Sequence, residues 1–206
     1  MGEEIQLLEA IYTQRGIRHL KPDPVPDQLI RRVIEAGTKA PNGGNAQRWA
    51  FIVIKDTATR HAIAEMYKKV PVPAHPSGTK SQQRADESAA YLTEHLAQVP
   101  VFILACIQHD GSPSDIQRGA SIYPAIQNML LAARALGLGS VMTTRQRRGF
   151  ETEIKELLGI PENVETAALL PLGFPQDGTS YGPTTRKPVE DVAYAERWGT
   201  QWSLAT

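Results

Sequence analysis

The chain alternates between segments whose apolar residues recur every three or four positions and segments whose apolar residues form short continuous runs. The first pattern is typical of amphipathic helices and the second of buried strands. Helices are predicted at residues 3–13, 81–97, 115–136 and 150–158. Two further helices are predicted, one from an N-cap at Asp27 to before Pro41 and one from an N-cap at Asp56 or Thr57 to about Lys69. Strands are predicted at residues 49–55, 101–107, 140–144 and 165–173. Both kinds of element therefore contribute to the expected fold.

The predicted helix at 115–136 is unusually apolar. Between Arg118 and Arg145 its only charged residue is Arg134, so apolar residues cover most of its circumference and we expect burial on several sides. The helix either forms the core of one protomer or packs across a two-fold axis; we favour the dimer. Pro124 fits this helix only near a start or a kink.

A loop of small and amide residues, 40–48, leads into the first predicted strand. Gly43 and Gly44 tolerate positive φ and allow a ligand to approach the backbone. Asn42, Asn45 and Gln47 each present a donor and an acceptor, which is the mixture that a polar heteroaromatic ring requires. The loop is either an ordinary turn between a helix and a strand or a site for such a ring.

A short basic segment precedes the Pro-rich connector at 21–26. Arg15 and Arg18 flank Gly16, so backbone N–H groups and two guanidiniums can close on one anion. A terminal phosphate suits this arrangement. The alternative is a solvated basic turn.

Two segments show neither the helical nor the strand pattern of apolar residues. Residues 70–79 are rich in Pro and form either a plain linker or a lid over a site. Residues 175–206 are rich in turn-forming residues, and their aromatic residues need apolar partners that a second subunit could supply, namely Tyr181, Tyr194, Trp198 and Trp202.

Composition narrows the class of protein. The 206 residues, 41% hydrophobic and 21% charged, are typical of one soluble globular domain. Lys plus Arg equals Asp plus Glu at 22 each, so no overall field favours nucleic acid or an anionic membrane. Cys106 is the only cysteine and lies in an apolar run, which predicts a buried, inert thiol. The acidic N-terminus lacks an apolar signal core, so we expect a cytoplasmic protein.

No sequence motif supplies catalytic side chains. HExxH, GxSxG, a P-loop and CxxC are all absent, and the five histidines are scattered and are expected to be surface or packing residues. Gly137 and Gly139 follow a helix instead of a strand and lack the third glycine of a dinucleotide fingerprint. We therefore expect an organic cofactor to carry the chemistry, without a metal.

Several stretches together resemble one family. They are Arg15-Gly-Ile-Arg18, residues 40–49, residues 125–140, residues 169–175 and residues 186–192. In this order they look like the nitroreductase family of FMN-dependent oxidoreductases, and the resemblance runs from about residue 10 to Trp198. The long helix and the amide loop are its most specific parts.

The resemblance implies an α+β fold with a central, mainly antiparallel sheet flanked by helices. It implies one domain over residues 1–206 and an intertwined homodimer, with FMN in clefts between the subunits and residues 175–206 wrapping the partner. NAD(P)H would pass a hydride to flavin N5, and an electron-poor acceptor such as a nitroaromatic or a quinone would then be reduced. A specialised enzyme of the same fold (a heterocycle dehydrogenase, a flavin-fragmenting enzyme or a dehalogenase) and a non-catalytic flavin sensor remain as alternatives.

The resemblance also assigns cofactor-binding residues. Those for the phosphate and ribityl chain are Gln14, Arg15, Gly16, Arg18 and Arg186, with Lys187 as a further candidate. Those for the isoalloxazine are Pro41, Asn42, Gly43, Asn45 and Gln47, and the backbone near flavin N5 belongs to Thr143 and Thr144. Gln14 stands where the family commonly has arginine and Gly16 where it has serine, so the phosphate loses one charge and one hydroxyl donor.

Overall fold

A computed structural model describes residues 5–72 and 74–202. Its helices are α1 (Leu7–Thr13), α2 (Asp27–Gly37), α3 (Thr57–Lys68), α4 (Lys80–His95), α5 (Ile116–Ala135) and α6 (Glu151–Leu158). Its strands are β1 (Trp49–Ile54), β2 (Val101–Gln108), β3 (Gly139–Ser140) and β4 (Val164–Gly173). Short 3₁₀ turns lie at Gly43–Asn45, Leu96–Gln98, Arg145–Arg148 and Val189–Asp191. The predicted first helix starts later than expected, at Leu7, and residues 3 and 4 lie outside the described chain.

The strands form one antiparallel sheet in the order β1-β2-β4-β3. Side chains of β2 alternate between its two faces: Phe102, Leu104 and Cys106 pack towards α3, α4 and α6, while Ile103 and Ala105 pack towards α2 and α5. Both faces of the sheet are therefore covered by helices, which confirms the α+β expectation.

The expected N-cap at Asp56 is confirmed, since its carboxylate accepts a hydrogen bond of 2.8 Å from the backbone of Thr59. Asp27 is not an N-cap. Pro26 occupies that position, and Asp27 is the first helical residue, with its carboxylate 2.5 Å from Nζ of Lys55.

The strand predicted at 140–144 is much shorter than expected. Only Gly139 and Ser140 pair continuously with β4, and Thr143 rejoins through a single bridge to Leu169, with hydrogen bonds of 3.0 and 2.8 Å. The backbone between them leaves the sheet. Thr143 therefore meets the sheet only through this bridge, and Thr144 directly precedes the 3₁₀ turn at Arg145–Arg148.

Within one protomer, the fully buried residues of helix α5 form one stripe. The stripe repeats every three or four residues and consists of Ile122, Ala125, Ile126, Met129, Leu130 and Ala133. Ile116 is 90% exposed and Tyr123 is 40% exposed, so the protomer leaves part of the helix uncovered. Pro124 lies well inside α5, so the first of its two expected positions, near the helix start, is excluded.

Cys106 is buried, as predicted. Burial raises the pKa of its thiol to about 12, and the carboxylate of Glu151 adds to the effect. A thiol with this pKa stays protonated near neutral pH and is a poor nucleophile. Within the described ranges, no helix combines the length and the apolar character that crossing a membrane requires.

Candidate cofactor site

Two chain segments run antiparallel and enclose a cavity beside β3. At one end Lys21 N donates to Phe174 O at 2.7 Å and Gln176 N donates to His19 O at 3.0 Å. At the other end Gly182 N donates to Thr13 O at 2.6 Å. Between these ties the segments separate around a cavity of about 420 Å³, which residues 15–19, residues 176–180 and Ser88 line.

The charge in this cavity is positive and unpaired. Within the part of the chain that the structure describes, neither Arg15 nor Arg18 has a carboxylate within salt-bridge distance. Burial, reinforced by the charge of Arg15, lowers the pKa of the half-buried Arg18. Asp177 also lines the cavity, but Lys21 neutralises it across 2.6 Å. Two neighbouring guanidiniums that have no carboxylate partner in the described part of the chain favour an anionic ligand.

The structure brings only some of the predicted phosphate residues together. Arg15, Gly16 and Arg18 line the cavity. Gln14 lies next to it, where its backbone N–H donates to Ala10 O and closes α1. Arg186 and Lys187 are exposed and do not line this cavity, and the Arg186 guanidinium bonds the carbonyl of Thr185.

The amide loop forms a defined turn on a different part of the protomer. Asn42 Oδ1 accepts a hydrogen bond of 2.9 Å from the backbone of Gln47. Positive φ falls on Gly44, Asn45 and Gln47, at 58°, 52° and 50°. For a glutamine this backbone costs on the order of 1 kcal/mol, and such strain is concentrated at functional sites.

A second cavity, of about 330 Å³, adjoins this loop. Asn42, Gly43 and Gln47 line it together with residues from the end of β2 and the start of α5, whereas Pro41 and Asn45 do not. The predicted ring-binding residues Asn42, Gly43 and Gln47 therefore lie in a different cavity from Arg15, Gly16 and Arg18 within a single protomer.

The turn at Thr143 and Thr144 is held by residues that the sequence did not single out. Tyr67 is buried, and its hydroxyl lies 3.2 Å from Thr143 Oγ1. Burial raises the pKa of Tyr67, so its hydroxyl stays protonated and able to donate. The Arg145 guanidinium donates to the carbonyls of Tyr67 and Val70 and to the Thr93 hydroxyl. These contacts join positions 52 to 78 residues apart, so no local pattern could have indicated them.

A stack of three aromatic rings adjoins the phosphate cavity, and the first of them, His19, lines it. The rings of His19 and Tyr91 lie 3.8 Å apart, and those of Tyr91 and His95 lie 4.0 Å apart. The Gln176 amide donates to the Tyr91 hydroxyl at 2.8 Å. Packing roles for His19 and His95 agree with the prediction, and the stack fixes α4 against both walls of the cavity.

Comparison with known proteins identifies the same family as the sequence motifs. Residues 11–174 match the family model described as "Nitroreductase family". A protein of Archaeoglobus fulgidus, provisionally named as an NADH dehydrogenase/NAD(P)H nitroreductase, is 31% identical over 194 residues, covering 94% of this chain and 99% of its own. Iodotyrosine deiodinase 1 of Rattus norvegicus is 28% identical over 196 residues, covering 91% of this chain and 68% of its own.

Solved structures agree on the fold. Iodotyrosine deiodinase bound to FMN and 3-iodo-L-tyrosine superposes with a TM-score of 0.72 at 21% identity, covering 95% of this chain and all of the other. The NADPH:FMN oxidoreductase of Vibrio harveyi, complexed with NAD⁺, gives a TM-score of 0.72 at 22% identity, covering 97% of this chain and 79% of the other.

Proposed function

The chain belongs to the nitroreductase family, and on that premise we propose that this oxidoreductase binds FMN and passes reducing equivalents from NAD(P)H to an electron-poor acceptor. Nitroaromatics and quinones are the acceptor classes proposed. The observation that carries the proposal is the cavity containing Arg15 and Arg18, two neighbouring cations that have no carboxylate within salt-bridge distance among residues 5–72 and 74–202.

The residues of this cavity would hold the cofactor by its phosphate. The guanidiniums of Arg15 and Arg18 bind the phosphate oxygens, and Gly16 lets the phosphate approach the backbone. Gln14 extends the same segment. Arg186 and Lys187 are assigned through the family resemblance, and their exposed positions leave both side chains free to turn towards an anion.

The amide loop would meet the flavin ring of a second protomer. Pro41, Asn42, Gly43, Asn45 and Gln47 lie away from the phosphate cavity of their own chain, so one protomer does not assemble the whole site. Exposed apolar residues support the proposed homodimer: on α1, Leu7 and Tyr12 are each 68% exposed, and Trp198 in the tail is 89% exposed. A partner that covers them would gain apolar burial, and we propose that residues 175–206 wrap that partner.

When bound, FMN supplies hydride chemistry at its N5 atom, which no side chain of the protein can provide. The protein's part is to position the flavin and to exclude water from it. Thr143 is held by its bridge to Leu169 and by the Tyr67 hydroxyl, and Arg145 anchors the residue after Thr144, so the backbone N–H of Thr144 would be the fixed group near N5. The amide loop contributes donors and acceptors to the polar edge of the ring.

A second candidate is reductive dehalogenation, which the 28% identity to a deiodinase favours. A non-catalytic flavin sensor is the remaining alternative. One experiment distinguishes these three candidate functions. The purified protein is loaded with FMN, and the oxidation of NADPH and NADH is followed with a quinone, a nitroaromatic and 3-iodotyrosine as acceptors. Turnover with the quinone or the nitroaromatic supports the proposal, and turnover with iodotyrosine alone favours the deiodinase-like enzyme. Bound FMN without turnover favours the sensor.

A further inference from the structure

The second cavity, beside the amide loop, has an almost entirely polar lining. Among the residues that the structure describes, its only apolar side chains are those of Ala46 and Ile107. Four carboxamides line it, two from the amide loop and two from the end of β2 and the first turn of α5: Asn42, Gln47, Gln108 and Gln117. Each carboxamide can both donate and accept hydrogen bonds. Ligand cavities are ordinarily lined mostly by apolar side chains, so this lining favours an unusually polar ligand.

The charges that line the second cavity balance. They belong to two arginines and two aspartates: Arg48, Arg118, Asp110 and Asp115. Arg118 is paired with Glu165, and Asp115 accepts from the backbone of Arg118 at 2.9 Å. Hydrogen bonds from Ser112 lower the pKa of Asp110 to about 2, and the charge of Arg48 adds to the effect. Because the four charges sum to zero, the lining favours a neutral ligand over an anion or a cation.

The walls of the second cavity are held in place before any ligand binds. The Arg118 guanidinium donates to two backbone carbonyls of the loop between β2 and α5. In the same loop His109 Nδ1 accepts from Gly111 N at 3.1 Å, a contact that only an unprotonated Nδ1 makes. Gln108 N donates to Arg48 O at 2.8 Å and ties this loop to the amide loop. A preformed site loses little conformational entropy on binding.

The strained backbone of Gln47 distinguishes this cavity from an ordinary solvent-filled cleft. Gln47 has a φ of 50°, and its N–H donates to Asn42 Oδ1 at 2.9 Å. A glycine would adopt this backbone without the strain. The glutamine instead adds a carboxamide to the lining of the cavity. Strain of this kind is concentrated at functional sites.

We propose that the second cavity receives the electron acceptor, and that it selects a neutral acceptor carrying a carboxamide or a comparable group with both hydrogen-bond donors and acceptors. Gln108 and Gln117 are then specificity-determining residues, because they belong to the lining that lies outside the amide loop. The inference rests on the proposed function, since the acceptor stacks on the flavin ring that the amide loop meets. An apolar quinone would leave these carboxamides without partners and would bind more weakly.

The test compares two acceptors that differ only in their polar group, 4-nitrobenzamide and methyl 4-nitrobenzoate. With either one, the reduced flavin supplies two electrons and two protons, the nitro group becomes a nitroso group and water leaves. Protein loaded with FMN is photoreduced without oxygen or NAD(P)H. The rate of flavin reoxidation against acceptor concentration then gives an apparent Kd. Benzamide and methyl benzoate, which are not reduced, are titrated into the oxidised protein to measure binding without turnover.

The variants Gln108→Leu and Gln117→Leu are compared with the wild type. Gln28→Leu, at an exposed position of α2 outside the cavity, is the matched control. The wild type and the control are expected to bind each amide about tenfold more tightly than the matching ester, the worth of one or two neutral hydrogen bonds. Each cavity variant should reduce this preference to about threefold or less, with unchanged affinity for the ester. All three replaced side chains are exposed, so the variants are expected to fold.

The outcomes separate the inference from the proposed function. If the FMN-loaded wild type does not prefer the amides, or if both cavity variants keep the preference, the inference is overturned and the proposed function stands. If the variants slow only the reduction of the flavin by NADPH, the cavity recognises the nicotinamide and the acceptor assignment is overturned. A protein that retains no FMN, or whose reduced flavin neither nitro compound reoxidises, overturns the proposed function and the inference with it.

Discussion

The guanidinium of Arg145 donates a 2.7 Å hydrogen bond to the backbone carbonyl of Tyr67 and lies 5.2 Å from the centre of its ring. Arg145 follows Thr143 and Thr144 directly, and another of its acceptors, Val70, begins the Pro-rich segment at 70–79. One half-buried cation therefore connects the proposed N5-facing turn, the end of α3 and the start of that segment.

Replacing this cation should destabilise the whole protomer. Arg145→Met leaves the carbonyls of Tyr67 and Val70 and the Thr93 hydroxyl without their donor, and we expect a loss of about 3 kcal/mol in the free energy of unfolding. Urea denaturation measures it. Arg148→Met, at an exposed position in the same turn, serves as the control and should change stability by less than about 0.5 kcal/mol. Equal effects of the two variants would contradict the assigned role of Arg145.

Restoring the serine that the family commonly has at position 16 should fail on its own. A Cβ atom on Gly16 would lie 3.0 Å from Cγ2 of Val141, closer than ordinary van der Waals contact. Gly16→Ser alone is expected to cost about 1 kcal/mol of stability without tightening FMN binding. Gly16→Ser combined with Val141→Ala makes room for the hydroxyl and should lower the Kd for FMN about fivefold.

Flavin fluorescence titration of both variants, with Val141→Ala alone as the control, measures the difference. Tight FMN binding by the single Gly16→Ser variant would show that Val141 does not restrict this position.

The fold was predictable because its signals are local. The apolar run of β2, the carboxylate cap at Asp56 and the glycine stop after α6 each depend on a few neighbouring residues. The short β3 was not predictable, because pairing with β4 decides where it ends. The apolar pattern of α5 indicates burial without indicating which chain supplies the cover, and a single protomer leaves Ile116 and Tyr123 exposed.

The candidate site was predictable only in part, for a related reason. Arg15 and Arg18 stand out as a basic pair around a glycine, so the sequence identified one wall of the cavity. The opposite wall comes from residues 176–180 and Ser88, which carry no motif and arrive through long-range pairing. Arg145 and Tyr67 were missed because their contacts are equally distant in sequence.

Glu165 should make stability depend on pH. Its carboxylate bonds the guanidinium of Arg118, Arg147 and the Ser114 hydroxyl. Burial alone would raise the pKa of Glu165, but these partners together hold it below its ordinary value. Because the folded pKa is lower than the unfolded one, the stabilisation is complete above the unfolded pKa of about 4.3 and is lost as the pH falls through the folded pKa.

Glu165→Gln is expected to lower stability at pH 7 by about 2 kcal/mol, and its difference from the wild type should narrow below pH 4. Thermal unfolding from pH 7 to pH 3 measures this, with the exposed Glu162→Gln as the matched control. A difference that stays constant across this range would show that ionisation of Glu165 does not contribute.

The segment at 70–79 is expected to act as a lid, since a bound flavin ring would otherwise face water. It is held at several points: the Arg145 guanidinium donates to Val70 O, the Gln83 amide donates to Pro76 O at 3.1 Å, and the Asp86 carboxylate accepts from the backbone of His75 at 2.6 Å and contacts its ring at 3.0 Å. Hydrogen exchange should slow across the segment when FMN binds, and Asp86→Asn should reduce that slowing. Exchange that is the same with and without FMN would leave a plain linker as the correct description.

The most direct measurement is the visible absorption spectrum of the protein after incubation with FMN and removal of the excess, followed by addition of NADPH without oxygen. The account predicts a retained flavin spectrum that bleaches with NADPH, and a colourless Arg15→Ala/Arg18→Ala double variant. A colourless wild type would contradict FMN as the cofactor. A retained spectrum that neither NADPH nor NADH bleaches would contradict the oxidoreductase reaction proposed here.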